Sequence, residues 1–184
     1  MRQHCTASRS RPSAHLEVSL IPTAVTPDVG RALGRLLLRR RLSLAVAESC
    51  TGGLIGDRLT DVTGSSRYFA GGVIAYSDAV KTRMLGVRKL TLAKWGAVSE
   101  QTVMEMAAGV CLRLKAKVGV AVSGIAGPGG GTKAKPVGLV YICARTGRRV
   151  LVERYRFRGG RRAVKEQSAA AALQLCRQVL EGRV

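Results

Sequence analysis

Between residue 27 and the end of the chain, short apolar runs alternate with stretches in which apolar residues recur every three or four positions. The first such stretch, PDVGRALGRLLLRR, puts Val29, Leu33, Leu36 and Leu37 on one helical face, with Pro27 in the first turn, where its missing N–H is no loss. An apolar run at 42–48 then reads as a buried strand, 52–62 as a helix and 66–77 as a second strand. Asp78 is placed to cap a short helix through Met84, and Ser99 and Thr102 open a longer helix over 98–116. A further buried strand runs over 118–127 and ends in glycines. Residues 137–157 read as a hairpin turning at Thr146-Gly147, and 161–180 close the chain as a helix. Strands alternating with helices predict an α/β fold in three layers, α/β/α, and the hairpin makes the sheet mixed, though mostly parallel.

Length and composition narrow this picture. A chain of 184 residues supports one domain with a substantial core, expected over 27–184. Residues 1–26 lack periodicity and hold both histidines, His4 and His15, so they read as a disordered N-terminal extension. Aromatics are only 4%, which leaves Ala, Val, Leu and Ile to build the core. No apolar run approaches the ~20 residues that span a bilayer, so no membrane partner is expected.

The formal charge is +20, with Lys+Arg 31 against Asp+Glu 11. Such an excess invites a nucleic-acid reading. Its distribution argues otherwise: arginines cluster at Arg9, Arg11, Arg39, Arg40 and Arg41 and again from Arg145 to Arg162, with few aromatics between them to stack on bases. Nonspecific affinity for anions is the expectation, with no specific nucleic-acid partner. The five cysteines (Cys5, Cys50, Cys111, Cys143, Cys176) are odd in number and far apart, which supports neither a disulfide framework nor a zinc site. A reducing, cytoplasmic setting fits them. Neither a metal nor a cofactor is expected, and a homo-oligomer is left open.

Candidate chemistry sits where strands end. In AESCTGG (47–53), three potential nucleophiles, Ser49, Cys50 and Thr51, lie between a strand and a helix start, the place where open α/β sheets bind ligands. Gly52 and Gly53 permit close approach, and the helix N-terminus offers N–H groups to an oxyanion. Ordinary capping by Ser49 or Thr51 is an equal reading of the same residues. With both histidines in the extension, an activated serine needs another base, and a lysine with a lowered pKa can serve. GGVIAYSDAVK supplies Tyr76 at a strand end and Lys81 one turn into the next helix, where burial would favour the neutral amine. SGIAGPGGGTKAKPVG (123–138) opens a strand into a glycine-rich loop that is neither a Walker A nor a GxGxxG motif, but whose N–H groups could cradle a phosphate or carboxamide. Parallel strands would bring the three ends to one edge and form a pocket for a small anion.

Together AESCTGG, GGVIAYS…K…LGV, WGAVSE and SGIAGPGGGT…KPVGLVYI resemble the CinA C-terminal domain family, over about residues 33–180. Stand-alone members of that family include the PncC-type nicotinamide mononucleotide amidohydrolases. The resemblance implies an α/β/α fold and metal-free hydrolysis of nicotinamide mononucleotide to nicotinate mononucleotide and ammonia, a step of pyridine-nucleotide salvage. Carried over by position, Ser49 is the nucleophile, and Tyr76 and Lys81 handle protons. The N–H groups at Cys50, Thr51, Gly52 and Gly53 are the inferred oxyanion hole. Ser123 stands where a threonine is frequent, and Gly129, Gly130, Gly131 and Thr132 would embrace the nucleotide. A GDR-like turn of the family is RGGRR here, with Gly160 in the acidic position, Arg161 or Arg162 as the phosphate ligand and Lys165 at a later basic position. The rival expectation is a non-catalytic module of the same fold that binds a nucleotide.

Overall fold

A computed structural model describes residues 27–182; the extension over 1–26, with His4, His15 and Cys5, lies outside the described residues. Helix α1 (Pro27–Arg39) leads into β1 (Leu44–Glu48), then α2 (Leu54–Thr60) and a short 3-10 turn at Ser65–Arg67. The chain continues through β2 (Phe69–Ile74), α3 (Asp78–Leu85), α4 (Lys89–Trp95), α5 (Glu100–Arg113) and β3 (Val118–Gly124). The hairpin β4 (Leu139–Thr146) and β5 (Arg149–Arg156) precedes the closing helix α6 (Arg161–Glu181). The sheet order is β2-β1-β3-β4-β5. β1 pairs in parallel with both β2 and β3, while β4 runs antiparallel to β3 and to β5. The mixed α/β/α sheet expected from the hydrophobic pattern is present, and four of its five strands point the same way.

The burial pattern explains why β1 reads as an unbroken apolar run. All five of its residues are buried, because helices cover both faces of the sheet. Val46 packs with α1, α2 and α6, whereas Ala45 and Ala47 face α3 and α5. Small residues on the second face let α5 lie close: a Cβ on Gly119 would come within 2.5 Å of the Ala107 carbonyl, and one on Gly109 within 1.8 Å of the Leu85 carbonyl. With so few aromatics, the core reaches its density by approach of backbones as much as by side-chain bulk.

Two local readings are corrected. The cap of α3 is Ser77, whose Oγ accepts the Val80 N–H at 3.3 Å; Asp78 is the first helical residue, because the chain turns one residue earlier. Helix α4 was not foreseen. Its Leu90 is exposed, so it lacks a strong apolar face, and Glu105 of α5 holds it instead by bonding Arg88 and the buried Thr91. None of the described helices is long and apolar enough to cross a membrane.

Parallel order has one consequence for chemistry. β1, β2, β3 and β5 all end at the same edge, so the loop after Glu48, Tyr76, the glycine-rich segment after Gly124 and the start of α6 are neighbours there.

Candidate active site

The first loop is held by a residue that the sequence reading passed over. Glu48, 1% exposed, ends β1 and turns its carboxylate toward α2. Its Oε2 accepts the N–H groups of Gly53 at 2.9 Å and Ile55 at 3.1 Å, and Oε1 accepts that of Gly56 at 2.8 Å. The N-cap position, Gly53, has no side-chain cap of its own, so the glutamate does the capping from the strand. Between anchor and helix, Gly52 and Gly53 adopt φ of 62° and 99°, left-handed values that strain any residue with a Cβ.

This arrangement redistributes the expected oxyanion donors. The Gly53 N–H belongs to Glu48, and the Gly52 N–H donates to the Ser49 carbonyl at 3.2 Å. The N–H groups of Cys50 and Thr51 remain as candidates from the original four. Capping of α2 by Ser49 or Thr51 is likewise displaced by Glu48. Among the described residues the buried Thr51 hydroxyl has no hydrogen-bond partner.

Ser49 continues the β1–β3 ladder, its N–H donating to the Val122 carbonyl at 3.1 Å, and its side chain is nearly buried. Next to it, the Ala75 N–H donates to the Glu48 carbonyl at 2.7 Å, so Tyr76 leaves β2 about one strand spacing, ~5 Å, from Ser49. Lys81 is 1% exposed, on the face of α3 that turns back to this edge. Its Nζ donates to the Tyr76 carbonyl at 3.3 Å and lies 3.4 Å from Asp78 Oδ1. Among the described residues no hydrogen bond joins Lys81 Nζ to Ser49 Oγ.

Tyr76 itself is 62% exposed, at the rim. Its hydroxyl accepts from Arg161 Nη2 at 2.9 Å, while Arg161 Nη1 donates to the Gly127 carbonyl at 2.8 Å. One guanidinium thus ties together the exit of β2, the exit of β3 and the start of α6. Arg162, the other phosphate candidate, is not brought in: it pairs with Glu166 one turn on, and its side chain is exposed. Helical phase separates the neighbours, and it puts Lys165, four residues after Arg161, on the site side. Lys165 Nζ lies over the first loop, 3.7 Å from where a Cβ on Gly52 would stand.

Ser123 is buried and donates to the Ala97 carbonyl at 2.8 Å, so its proton ties β3 to the turn before α5. Lys135 Nζ ties the glycine-rich loop to that turn as well, at 2.6 Å from the Trp95 carbonyl. Gly129, Gly130 and Gly131 are exposed, and among the described residues nothing lies within 4 Å of where a Cβ on Gly129 would stand. The Thr132 N–H and Oγ1 are both engaged with Lys135, closing a local turn. A cavity of about 680 Å³, lined by Arg31, Arg35, Arg58 and Tyr68 among others, lies at the opposite edge, beside the start of β1. Among the described residues no group of three His, Cys, Asp or Glu side chains converges as a metal site would need.

Burial pushes the Cys50 thiol up to about 12; the Glu48 charge adds to this, while its own backbone N–H, Arg161 and Lys165 pull the other way. A thiol raised that far stays protonated at neutral pH and supplies no nucleophilic thiolate.

Comparison with known proteins agrees with the fold. The family model of the CinA C-terminal domain matches residues 27–180. A CinA-like protein of Syntrophus aciditrophicus is 49% identical over 150 residues, 81% of this chain and 36% of that protein. Another CinA-like protein, from Desulfotalea psychrophila, is 47% identical over 152 residues, 83% of this chain and 37% of that protein. The chain therefore spans under two fifths of the length of these relatives. Among solved structures, the competence/damage inducible protein CihA of Agrobacterium tumefaciens is similar with a TM-score of 0.81 at 39% identity, covering 83% of this chain and 94% of that one. A CinA superfamily protein of Escherichia coli gives 0.82 at 29% identity, covering 87% and 95%.

Two outcomes follow from the loop. Glu48→Gln keeps one acceptor oxygen but sets an NH2 group against the remaining N–H donors, and should cost about 2–4 kcal/mol in urea denaturation; a loss below about 0.5 kcal/mol would show that the carboxylate does not hold the turn. Cys50 should resist iodoacetamide at pH 8 in the native protein and react only after unfolding, whereas rapid native alkylation, read by peptide mass, would reveal a thiolate.

Proposed function

The chain belongs to the CinA C-terminal domain family, and we propose that it is an amidohydrolase that converts nicotinamide mononucleotide to nicotinate mononucleotide and ammonia. The observation that carries this reading is Lys81: a lysine buried at the exit of the strand next to that of Ser49, held by the Tyr76 carbonyl and Asp78. Lysines are among the residues least often buried fully. Packing alone gives no reason to bury one at this edge of the sheet.

In the proposed reaction Ser49 Oγ adds to the carboxamide carbon and passes its proton to Lys81, which must first leave its present contacts as substrate enters. Catalytic hydrogen bonds are commonly long in free enzymes and tighten on binding. The oxyanion meets the N–H groups of Cys50 and Thr51. The Tyr76 hydroxyl, whose oxygen already accepts from Arg161, keeps its proton available for the departing nitrogen. Water then cleaves the acyl-enzyme. The pyridinium charge makes the amide more electrophilic, so the substrate assists its own hydrolysis. Arg161 exchanges Tyr76 or Gly127 for the substrate phosphate, and the open space at Gly129 admits the ribose.

A second reading has its own observation. Lys81 is bonded to Tyr76, not to Ser49, and Arg161 is committed to protein acceptors, which suits a nucleotide-binding module without turnover. Ammonia release from purified protein and nicotinamide mononucleotide separates the two. The amidohydrolase reading expects turnover by the wild type and a loss of at least about 10³-fold in Ser49→Ala, with the circular dichroism spectrum unchanged. Full activity in that variant would remove Ser49 from the chemistry, and nucleotide binding without ammonia release would favour the module.

A further inference from the structure

Anion stabilisation at the first loop is weaker in its backbone than the AESCTGG pattern suggests. Two of the four expected N–H groups are consumed, by Glu48 and by the Ser49 carbonyl. The N-terminal charge of α2 is also answered by the Glu48 carboxylate, whose negative charge is felt at Cys50 in the same loop. Two N–H groups remain beside a buried carboxylate that opposes negative charge nearby, and a cation would offset it.

Lys165 is placed to be that cation. Its Nζ sits over Gly52, and among the described residues it makes no hydrogen bond or ion pair. The carboxylate beside it on α6, Glu166, is already shared by Arg58 and Arg162. The Arg58–Glu166 contact docks α6 on α2, which fixes where Lys165 projects. A negative charge at the neighbouring Cys50 sulfur would be favoured by Lys165 and Arg161 and opposed by Glu48, so this part of the loop feels the lysine as a counter-charge. Arg161 is held away by its bonds to Tyr76 and Gly127, at the rim where a phosphate would lie. The two cations of one helical face therefore serve different ends of a substrate.

We propose that Lys165 is a catalytic residue whose ammonium stabilises the oxyanion formed when Ser49 adds to the amide; this rests on the amidohydrolase reading. In that step the Ser49 oxygen forms the new C–O bond, the carbonyl π pair moves onto oxygen, and the hydroxyl proton goes to Lys81. Collapse restores the carbonyl, and the C–N bond breaks as the nitrogen takes a proton from the Tyr76 hydroxyl and leaves as ammonia. Lys165 gains and loses no proton; it supplies charge at the oxygen.

The test compares wild type, Lys165→Met and Lys165→Arg on nicotinamide mononucleotide and on nicotinamide riboside, which lacks the phosphate. Lys165→Met should lower kcat about 10²-fold on both substrates with KM little changed, and Lys165→Arg should recover most of it. A rise in KM confined to the phosphorylated substrate would make Lys165 a phosphate ligand and overturn the proposal, as would an unchanged kcat. If the wild type releases no ammonia, the amidohydrolase reading fails by itself. Lys165 is then tested by phosphonylation of Ser49 with a fluorophosphonate, followed by intact mass, because the phosphoryl oxygen occupies the same position. Labelling should slow at least tenfold in Lys165→Met. Equal rates, or no labelling of the wild type, would overturn the proposal.

Discussion

A carboxylate removed from water needs either a counter-ion or several directed hydrogen bonds, and Glu48 has only the second. Three N–H groups from the start of α2 hold it, and no cation is paired with it among the described residues. The rest of the site depends on that contact. It joins the end of β1 to the start of α2 across a five-residue loop and obliges Gly52 and Gly53 to turn in left-handed conformations. It also fixes Ser49 at the last rung shared with β3. The same bonds absorb the field of the helix, so the place most often assumed to greet an anion is already occupied. Positive charge must be brought in on side chains, and Arg161 and Lys165 bring it from one face of α6.

This division bears on the strong positive charge of the chain. A formal +20 is far more than one small anionic substrate requires. Near the site, however, opposite charges are interleaved: Asp78 beside Lys81, Glu48 beneath the loop, Glu166 between Arg58 and Arg162. Local placement, not net charge, sets the electrostatics of this edge. The cavity at the other edge makes the complementary point. It is roomy and rich in arginine, yet it lies by Tyr68 at the start of the strands, away from the buried lysine and the loop. On the proposed reading, depth alone does not mark the chemistry.

The fold was largely legible because helices cover both faces of the sheet, so β1 and β3 appear as uninterrupted apolar runs, and because the β4–β5 hairpin closes on a two-residue turn between Thr146 and Arg149. Helix α4 escaped because an outside residue, Glu105, holds it where an apolar face of its own would otherwise show. Glu48 escaped as a cap because it acts from five to eight residues upstream, beyond the spacing of local capping motifs. A usable signal was nonetheless there: an ionisable residue inside a fully apolar run must find partners nearby, and two glycines follow it. Lys81 was recognised as a candidate, but its burial comes from the packing of α3 on α5 and the sheet, which no local pattern encodes. The different surroundings of Arg161 and Arg162 follow from the phase of α6, which sets the second against Glu166.

The claim on which everything else depends is that the hydroxyl at the head of this loop forms the covalent bond. Acid-quenching the wild-type protein within its first turnovers on nicotinamide mononucleotide, followed by peptide mass spectrometry, tests it directly. The account expects a nicotinate mononucleotide ester on the peptide containing Ser49, localised to that residue, with one ammonia released per adduct. Ammonia release with the adduct on Cys50, or with no adduct under conditions that trap a synthetic ester, would contradict it.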